Sequence, residues 1–259
     1  MTRQNQAEAG RDRVDILGVA VDRVTVAEAL ARIDGFLAVG AASHVVTVNP
    51  EYVMAAARRD AFRSVLNAAD LAVADGVGVT LASRLLGRPV PERITGVGLV
   101  GRVAQLATER GASVFLLGAR PGVADAAAVA LGRRCSQATG RDVVVAGTHA
   151  GSPSAAEAAE IVARVRSARP GVLFVAFGAP EQDLWIARHR GDLGVPVMMG
   201  VGGAFDFLAG VRRRAPQGMR RVGLEWLWRL AIEPWRWRRQ LALPRFAAAV
   251  ARQRLLGRR

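Results

Sequence analysis

SVFLLGARPGVADAAAVALGRR, residues 113–134, decides the fold class. Ser113 to Leu117 is an unbroken apolar run, Gly118 to Gly122 a glycine turn, and Val123 to Arg134 a helical stretch of small apolar residues. A strand without polar alternation has to be covered on both faces, as strands of a parallel sheet are. The unit then recurs. A strand at Asp142–Gly147 leads to a helix at Pro153–Arg166, and VLFVAFGAPEQDLWIARHR (172–190) repeats the strand, the glycine turn and a helix with Pro180 near its first turn. Val195 to Met199 is a last strand. Upstream, Val14–Val21 reads as a first strand and Thr25–Leu37 as an amphipathic helix. His44–Val48 is a short strand that stops at Asn49-Pro50, and Glu51–Ala69 a helix broken near Arg59-Asp60. Leu71–Ala74 is a strand ending in Asp75-Gly76, followed by helices at Val77–Leu86 and Val97–Arg110, the latter with Gly111 as C-cap. The expectation is an α/β protein with a Rossmann-like, mostly parallel sheet flanked by helices.

Composition changes near Gly210. Residues 211–259 hold fourteen arginines against Glu225 and Glu233, so they carry most of the formal +14, and four of the five tryptophans (226, 228, 235, 237) fall there too. We therefore expect a catalytic body over residues 1–210 and a basic helical appendage over 211–259. Guanidinium groups suit phosphates, and indoles suit a lipid headgroup boundary. This composition does not separate an anionic membrane from nucleic acid. No lysine occurs, and the lone cysteine, Cys135, excludes an intramolecular disulfide. The opening MTRQNQAEAGRDR lacks an apolar core, and no apolar run approaches the roughly 20 residues of a membrane span. A cytoplasmic protein, peripheral to a membrane, is expected.

Ligands of open parallel sheets bind beyond the carboxyl ends of the strands. Five suggestive segments lie there: Thr47-Val48-Asn49, Asp75-Gly76, Gly118–Gly122, Gly178–Asp183 and Gly200–Asp206. Asp75 reads as an Asp-Gly turn, as a catalytic base, or as a ribose or sugar ligand. Thr47 and Asn49 read as ligands of a base or sugar, or as an Asx-type cap on the helix starting near Pro50. The glycines at 118, 202 and 203 let backbone N–H groups face a phosphate. Gln182 and Asp183 stand in the first turn of a helix, and Asp206 just beyond the last strand. His44, His149 and His189 are scattered, and no Asp-x-Asp triplet is present to hold a cation on a nucleotide diphosphate. No metal is expected; tail arginines can supply the positive charge instead.

The motifs TVNPEYV, ADGVGV, ERITG, VFLLGARPGV, FGAPEQDLWI, GVGGAFDFLAG, RAP, GLEWLWRL and EPWRWRR, in this order, resemble the WecG/TagA/CpsF family, glycosyltransferase family 26. That resemblance covers Val14 to about Phe246. It implies transfer of a sugar, such as N-acetylmannosamine or a related hexose, from a UDP-sugar to an undecaprenyl-diphosphate-linked saccharide, with inversion, without a metal or other cofactor, and with no nucleic-acid partner. By position it implies that Asp75 is the general base, that Thr47 and Asn49 lie beside it, and that Arg93 and Gln182 contact substrate. It also implies that Arg214, Arg229 and Arg236 clasp phosphate as the appendage closes on an anionic membrane surface. The chain departs from the family pattern at Glu181, where lysine is common, and at Gln217, where an aromatic is common.

Three rivals stand beside this reading: the same reaction with UDP-glucose, a nucleotide-dependent oxidoreductase, and a non-enzymatic adaptor built on the basic tail. The oxidoreductase lacks a full G-x-G-x-x-G turn with an acid about 20 residues on. The adaptor leaves the polar strand ends unexplained. The sequence is equally compatible with a monomer and a homo-oligomer.

Overall fold

The computed structural model describes residues 11–221, 223–234 and 237–257. It is an α/β structure built on a six-stranded parallel sheet. The chain begins with an antiparallel hairpin, β1 (Arg13–Ile16) and β2 (Val19–Asp22). The single strand expected over Val14–Val21 is thus two. Leu17 and Gly18 both take left-handed backbone angles (φ 54° and 84°), and Gly18 N donates to Asp15 Oδ1, so the chain reverses inside the apolar run.

Helix α1 (Val26–Val39) follows a capping box made by Thr25 and Glu28. Next come β3 (Ser43–Val48), α2 (Pro50–Ala56), α3 (Asp60–Asn67), β4 (Leu71–Ala74), α4 (Val77–Leu85) and α5 (Gly96–Glu109). The alternating region supplies β5 (Val114–Gly118), α6 (Val123–Thr139), β6 (Val145–His149), α7 (Ala155–Ala168), β7 (Val172–Ala176), α8 (Glu181–Leu193) and β8 (Val197–Gly200). Several boundaries moved, two of them together. Helix α6 runs past Arg134 because Leu131 and Cys135 continue its buried face, and it stops only where Gly140 turns left-handed; β6 consequently starts at Val145 rather than Asp142.

Spatial order in the sheet is β4-β3-β8-β7-β5-β6. The chain builds outward from β3 to β4, crosses over to lay down β5 and β6, and fills the middle with β7 and β8. Strands β3, β5, β7 and β8 are buried along their whole length, which is why their sequences show no polar alternation. Side chains alternate between faces. Val45 of β3 joins the apolar cluster under α1, α5 and α6, whereas Val46 and Val48 join the one under α2, α3 and α4.

At the β4 edge the hairpin takes the place of another strand, with Asp22 as its anchor. The buried Asp22 carboxylate accepts from Ala72 N (2.8 Å) and from the guanidinium groups of Arg11, Arg13 and Arg32.

Beyond β8 the described residues form further helices: α9 (Ala204–Leu208), α10 (Gln217–Arg221), α11 (Glu225–Ile232), α12 (Trp237–Gln240) and α13 (Ala242–Leu256). Phe246 and Val250 of α13 are buried in the cluster that also holds Val48, Tyr52 and Val79. Gln253 clasps the hairpin tip, accepting from Leu17 N (3.0 Å) and donating to Asp15 O (3.1 Å). Residues 236 sequence positions apart are joined there.

Candidate active site

The carboxyl ends of β3, β4, β5, β7 and β8 open on one polar cleft of about 730 Å³. All five strand-end segments singled out from the sequence contribute to it: Thr47 and Asn49, Asp75, Ala119 and Arg120, Gly178 and Gln182, and Gly202, Gly203 and Asp206.

Asp75 is held through both its backbone and its carboxylate. Its N–H donates to Val48 O (2.7 Å), which fixes the turn out of β4; Gly76, at φ 88°, carries the chain away into α4. Its Oδ2 accepts from Gly96 N (3.3 Å) in the first turn of α5, where Thr95 is the N-cap. A negative charge is stabilised at such a helix end. A β-carbon on Gly96 would lie 3.4 Å from Asp75 Oδ2 and 3.5 Å from Thr47 Oγ1, so the bare glycine leaves the three groups close together. Asn49 lines the cleft and also caps α2, with Oδ1 accepting from Tyr52 N (3.0 Å). The two readings of that residue were therefore not exclusive.

Beneath the cleft lies a buried polar relay. Gln182 Oε1 accepts from Gly202 N (2.9 Å), and its Nε2 donates to the Tyr52 hydroxyl (2.7 Å). The Tyr52 hydroxyl donates to Asp183 Oδ2 (2.7 Å), and Asp183 Oδ1 lies 3.2 Å from His44 Nε2. Burial, reinforced by the Asp183 carboxylate, pushes the Tyr52 phenol well above its ordinary value, so it stays a donor. Gln182 is 1% exposed and both ends of its amide bond to protein. It lines the cleft beside the Gly202 loop that it holds.

Gly118, expected in the glycine turn that faces phosphate, sits behind the cleft. A β-carbon there would meet the Ala176 carbonyl carbon at 2.9 Å, so its bareness lets β5 approach β7. Arg120 of the same turn does line the cleft. Arg212 stands at its rim, 3.2 Å from Asp206 and 3.2 Å from Glu233, and thereby ties the start of the appendage to α9.

Arg93 and Arg214 face a second chamber of about 570 Å³ that shares Asn49, Asp75, Gly96 and Phe207 with the first. Ile94 N donates to Ala74 O, which places the Glu92–Gly96 segment alongside the end of β4 and brings Arg93 near Asp75. Arg214 Nε lies 3.7 Å from Glu225 Oε1. Arg229 belongs to α11, but its side chain is not among those described; Arg236 and Trp235 lie outside the described residues.

Tyr52, His44, Arg120, Phe207 and Arg212 were not singled out from the sequence as site residues. Tyr52 and Asp183 are 131 positions apart, and no local spacing announces their bond. For Arg120 the signal was present, inside the Gly118–Gly122 turn. Among the described residues no group of three His, Cys, Asp or Glu side chains is placed to hold a metal ion, and no helix is long and apolar enough to cross a membrane.

The chain matches the family described as "Glycosyl transferase WecG/TagA/CpsF family" over residues 14–259. It is similar to curated proteins of Staphylococcus aureus strains NCTC 8325 / PS 47, COL and MRSA252, each named N-acetylglucosaminyldiphosphoundecaprenol N-acetyl-beta-D-mannosaminyltransferase. Identity is 34% over 242 residues, covering 93% of this chain and 92% of each relative.

Proposed function

This chain belongs to the glycosyl transferase WecG/TagA/CpsF family and is a glycosyltransferase, and we propose that it moves N-acetylmannosamine from its UDP-sugar to an undecaprenyl-diphosphate-linked N-acetylglucosamine. The acceptor and the sugar follow the printed name of its relatives. The observation that carries the reading to the chemistry is the place of Asp75: its carboxylate lies where the two chambers meet, oriented by the Gly96 N–H. In one displacement Asp75 takes the proton of an acceptor hydroxyl. The hydroxyl oxygen forms a bond to the anomeric carbon, and the bond from that carbon to the phosphate oxygen breaks. UDP leaves with the electron pair, and configuration inverts.

A carboxylate within reach of the acceptor hydroxyl is the group that can take its proton. Thr47 sits beside it, and the glycine loop held by Gln182 at Gly202 offers the backbone N–H of Gly203 to the donor diphosphate. Arg120 and Arg212 bring positive charge to the same cleft. No metal takes part. Residues 1–210 form the catalytic body, and 211–259 close over it while their exposed Trp226, Leu227, Ile232 and Trp237 rest on the cytoplasmic face of an anionic membrane.

The test is UDP release from a panel of UDP-sugars, UDP-glucose included, with a short-chain polyprenyl-diphosphate-linked N-acetylglucosamine and EDTA present. Acceptor-dependent release from UDP-N-acetylmannosamine alone is the expected result. Release from another donor corrects the sugar. Release that needs an added divalent cation overturns the metal-free mechanism.

A further inference from the structure

The buried relay under the cleft begins well below it, at His44, the second residue of β3. His44 and Asp183 are 1% and 0% exposed, and neither takes part in the displacement at Asp75. The backbone of His44 is pinned first. Its N–H donates to Asp70 Oδ2 (2.8 Å), and Arg190 of α8 holds that same oxygen (3.0 Å) while also donating to Ala42 O. Asp183 stands about two turns earlier on α8. There its Oδ1 lies 3.2 Å from the ring nitrogen of His44, so α8 grips this residue at both backbone and side chain.

Stability alone does not call for this pair, since well-packed apolar side chains usually stabilise a core as well as a buried polar pair does. What the polar pair adds is a fixed direction. Asp183 Oδ2 accepts from the Tyr52 hydroxyl (2.7 Å) while Oδ1 faces His44, so the carboxylate plane is held at both oxygens. Tyr52 then accepts from Gln182 Nε2 (2.7 Å), and Gln182 Oε1 accepts from Gly202 N (2.9 Å). The far end has no slack. A β-carbon on Gly200 would lie 2.6 Å from both Asp183 Oδ1 and Gln182 Nε2, so a turned carboxylate presses on the end of β8. The relay thereby joins β3, α2, α8 and the loop after β8, which bring Thr47, Gln182 and Gly203 to the cleft.

We infer that His44 is a positioning residue for the donor diphosphate: through Asp183, Tyr52 and Gln182 it sets where the Gly202–Gly203 loop presents the Gly203 N–H. His44 does not line the cleft and touches no substrate. Without its imidazole, Asp183 Oδ1 loses that partner, the carboxylate turns, and the hold of Gln182 on Gly202 loosens. A shift of about 1 Å in a group that positions substrate is enough to matter, even when its cause lies far from the chemistry. The inference rests on the glycosyl-transfer reading for the identity of the diphosphate, yet binding tests it without any transfer of sugar.

The experiment compares the full wild-type chain with His44→Leu, which removes the bond, and His44→Gln, whose amide nitrogen can donate to Asp183 in place of Nε2. UDP and pyrophosphate are titrated by calorimetry, and amide hydrogen exchange is followed at residues 200–206 with β7 as the reference. In His44→Leu both diphosphates are expected to bind about tenfold more weakly. Exchange at Gly202 is expected to quicken about tenfold beyond any change in β7. His44→Gln is expected to bring both back to within about threefold of wild type. If the leucine variant does not fold, His44→Asn, too short to reach Asp183, replaces it. A purely structural His44 would quicken exchange in β7 and at Gly202 alike and leave diphosphate affinity unchanged in the folded fraction. That result overturns the inference, as does a glutamine variant no better than leucine. Binding of pyrophosphate but not UDP, with the same dependence on His44, would sink the UDP-sugar reading and leave the positioning role standing. No binding of either diphosphate by the folded wild-type chain overturns both.

Discussion

At Asp75 one side chain combines a charge, a helix end and a position between two chambers. Its negative charge is stabilised at the half-buried end of β4 because Gly96 N and the N-terminus of α5 face it. Asp75→Asn keeps the shape and removes the proton acceptor. We expect kcat to fall by about 10²- to 10⁴-fold with UDP-sugar affinity nearly unchanged. Steady-state kinetics beside donor titration check this, and full activity would exclude the base role. Tyr52 acts one step back. In Tyr52→Phe the Gln182 amide loses an acceptor and Asp183 loses a donor, both inside the protein. The expected cost is about 1–3 kcal/mol of stability. A weaker hold on Gly202 should also raise donor KM more than it lowers kcat, whereas a purely structural Tyr52 would leave KM unchanged in the folded fraction.

Among the elements, the loop that leaves β8 depends most on the bareness of its glycines. A β-carbon on Gly200 would lie 2.6 Å from both Asp183 Oδ1 and Gln182 Nε2, so these buried groups set the path of the strand end. Gly200→Ala forces the relay apart, with an expected loss of about 1–3 kcal/mol in denaturant unfolding and weakened UDP binding. Unchanged stability would mean that the relay has room to give. The last helix shows a different dependence. Its Phe246 and Val250 share a core with the opening hairpin, and its Gln253 bonds to the hairpin turn, so the appendage is fastened to the body at its far end as well as at Arg212.

Across the whole molecule the positive charge is uneven, and part of it is neutralised internally. Glu233 faces Arg212 and Glu225 faces Arg214, so both acids of the arginine-rich tail lie beside arginines at the mouth of the site. The β4 edge of the sheet depends on Asp22. Burial alone would raise its carboxyl pKa, but the Arg11 hydrogen bonds, the Ala72 N–H and the charge of Arg13 outweigh burial and hold it below the ordinary value. A carboxylate depressed by folding stabilises the protein above its unfolded pKa of about 3.9, and that contribution disappears as pH falls through the folded value. Acid unfolding of the wild-type chain should therefore steepen below pH ~4. Asp22→Asn should lose about 2 kcal/mol at neutral pH and flatten that acid limb, measured by urea unfolding across the pH series. An unchanged acid limb would assign it to other carboxylates.

Apolar runs without alternation were enough to identify a buried parallel sheet, because a strand covered on both faces tolerates no polar face. Strand-end positions such as Thr47, Asp75 and Gly202 were legible for a related reason: sheet topology sends every carboxyl end to one side, whatever the details of packing. The Leu17-Gly18 reversal was not legible, since it interrupts an apolar run without a polar residue to mark it. The run of α6 to Gly140 was missed because Arg133 and Arg134 hid a face that Leu131 and Cys135 continue. Arginine and tryptophan content set the tail apart from the body, but only tertiary structure decided where it docks. The Tyr52–Asp183 bond, the Gln182–Gly202 bond and the second chamber lined by Leu81 and Phe246 join residues far apart in the chain. Such contacts come from the closure of the fold, which local spacing does not encode.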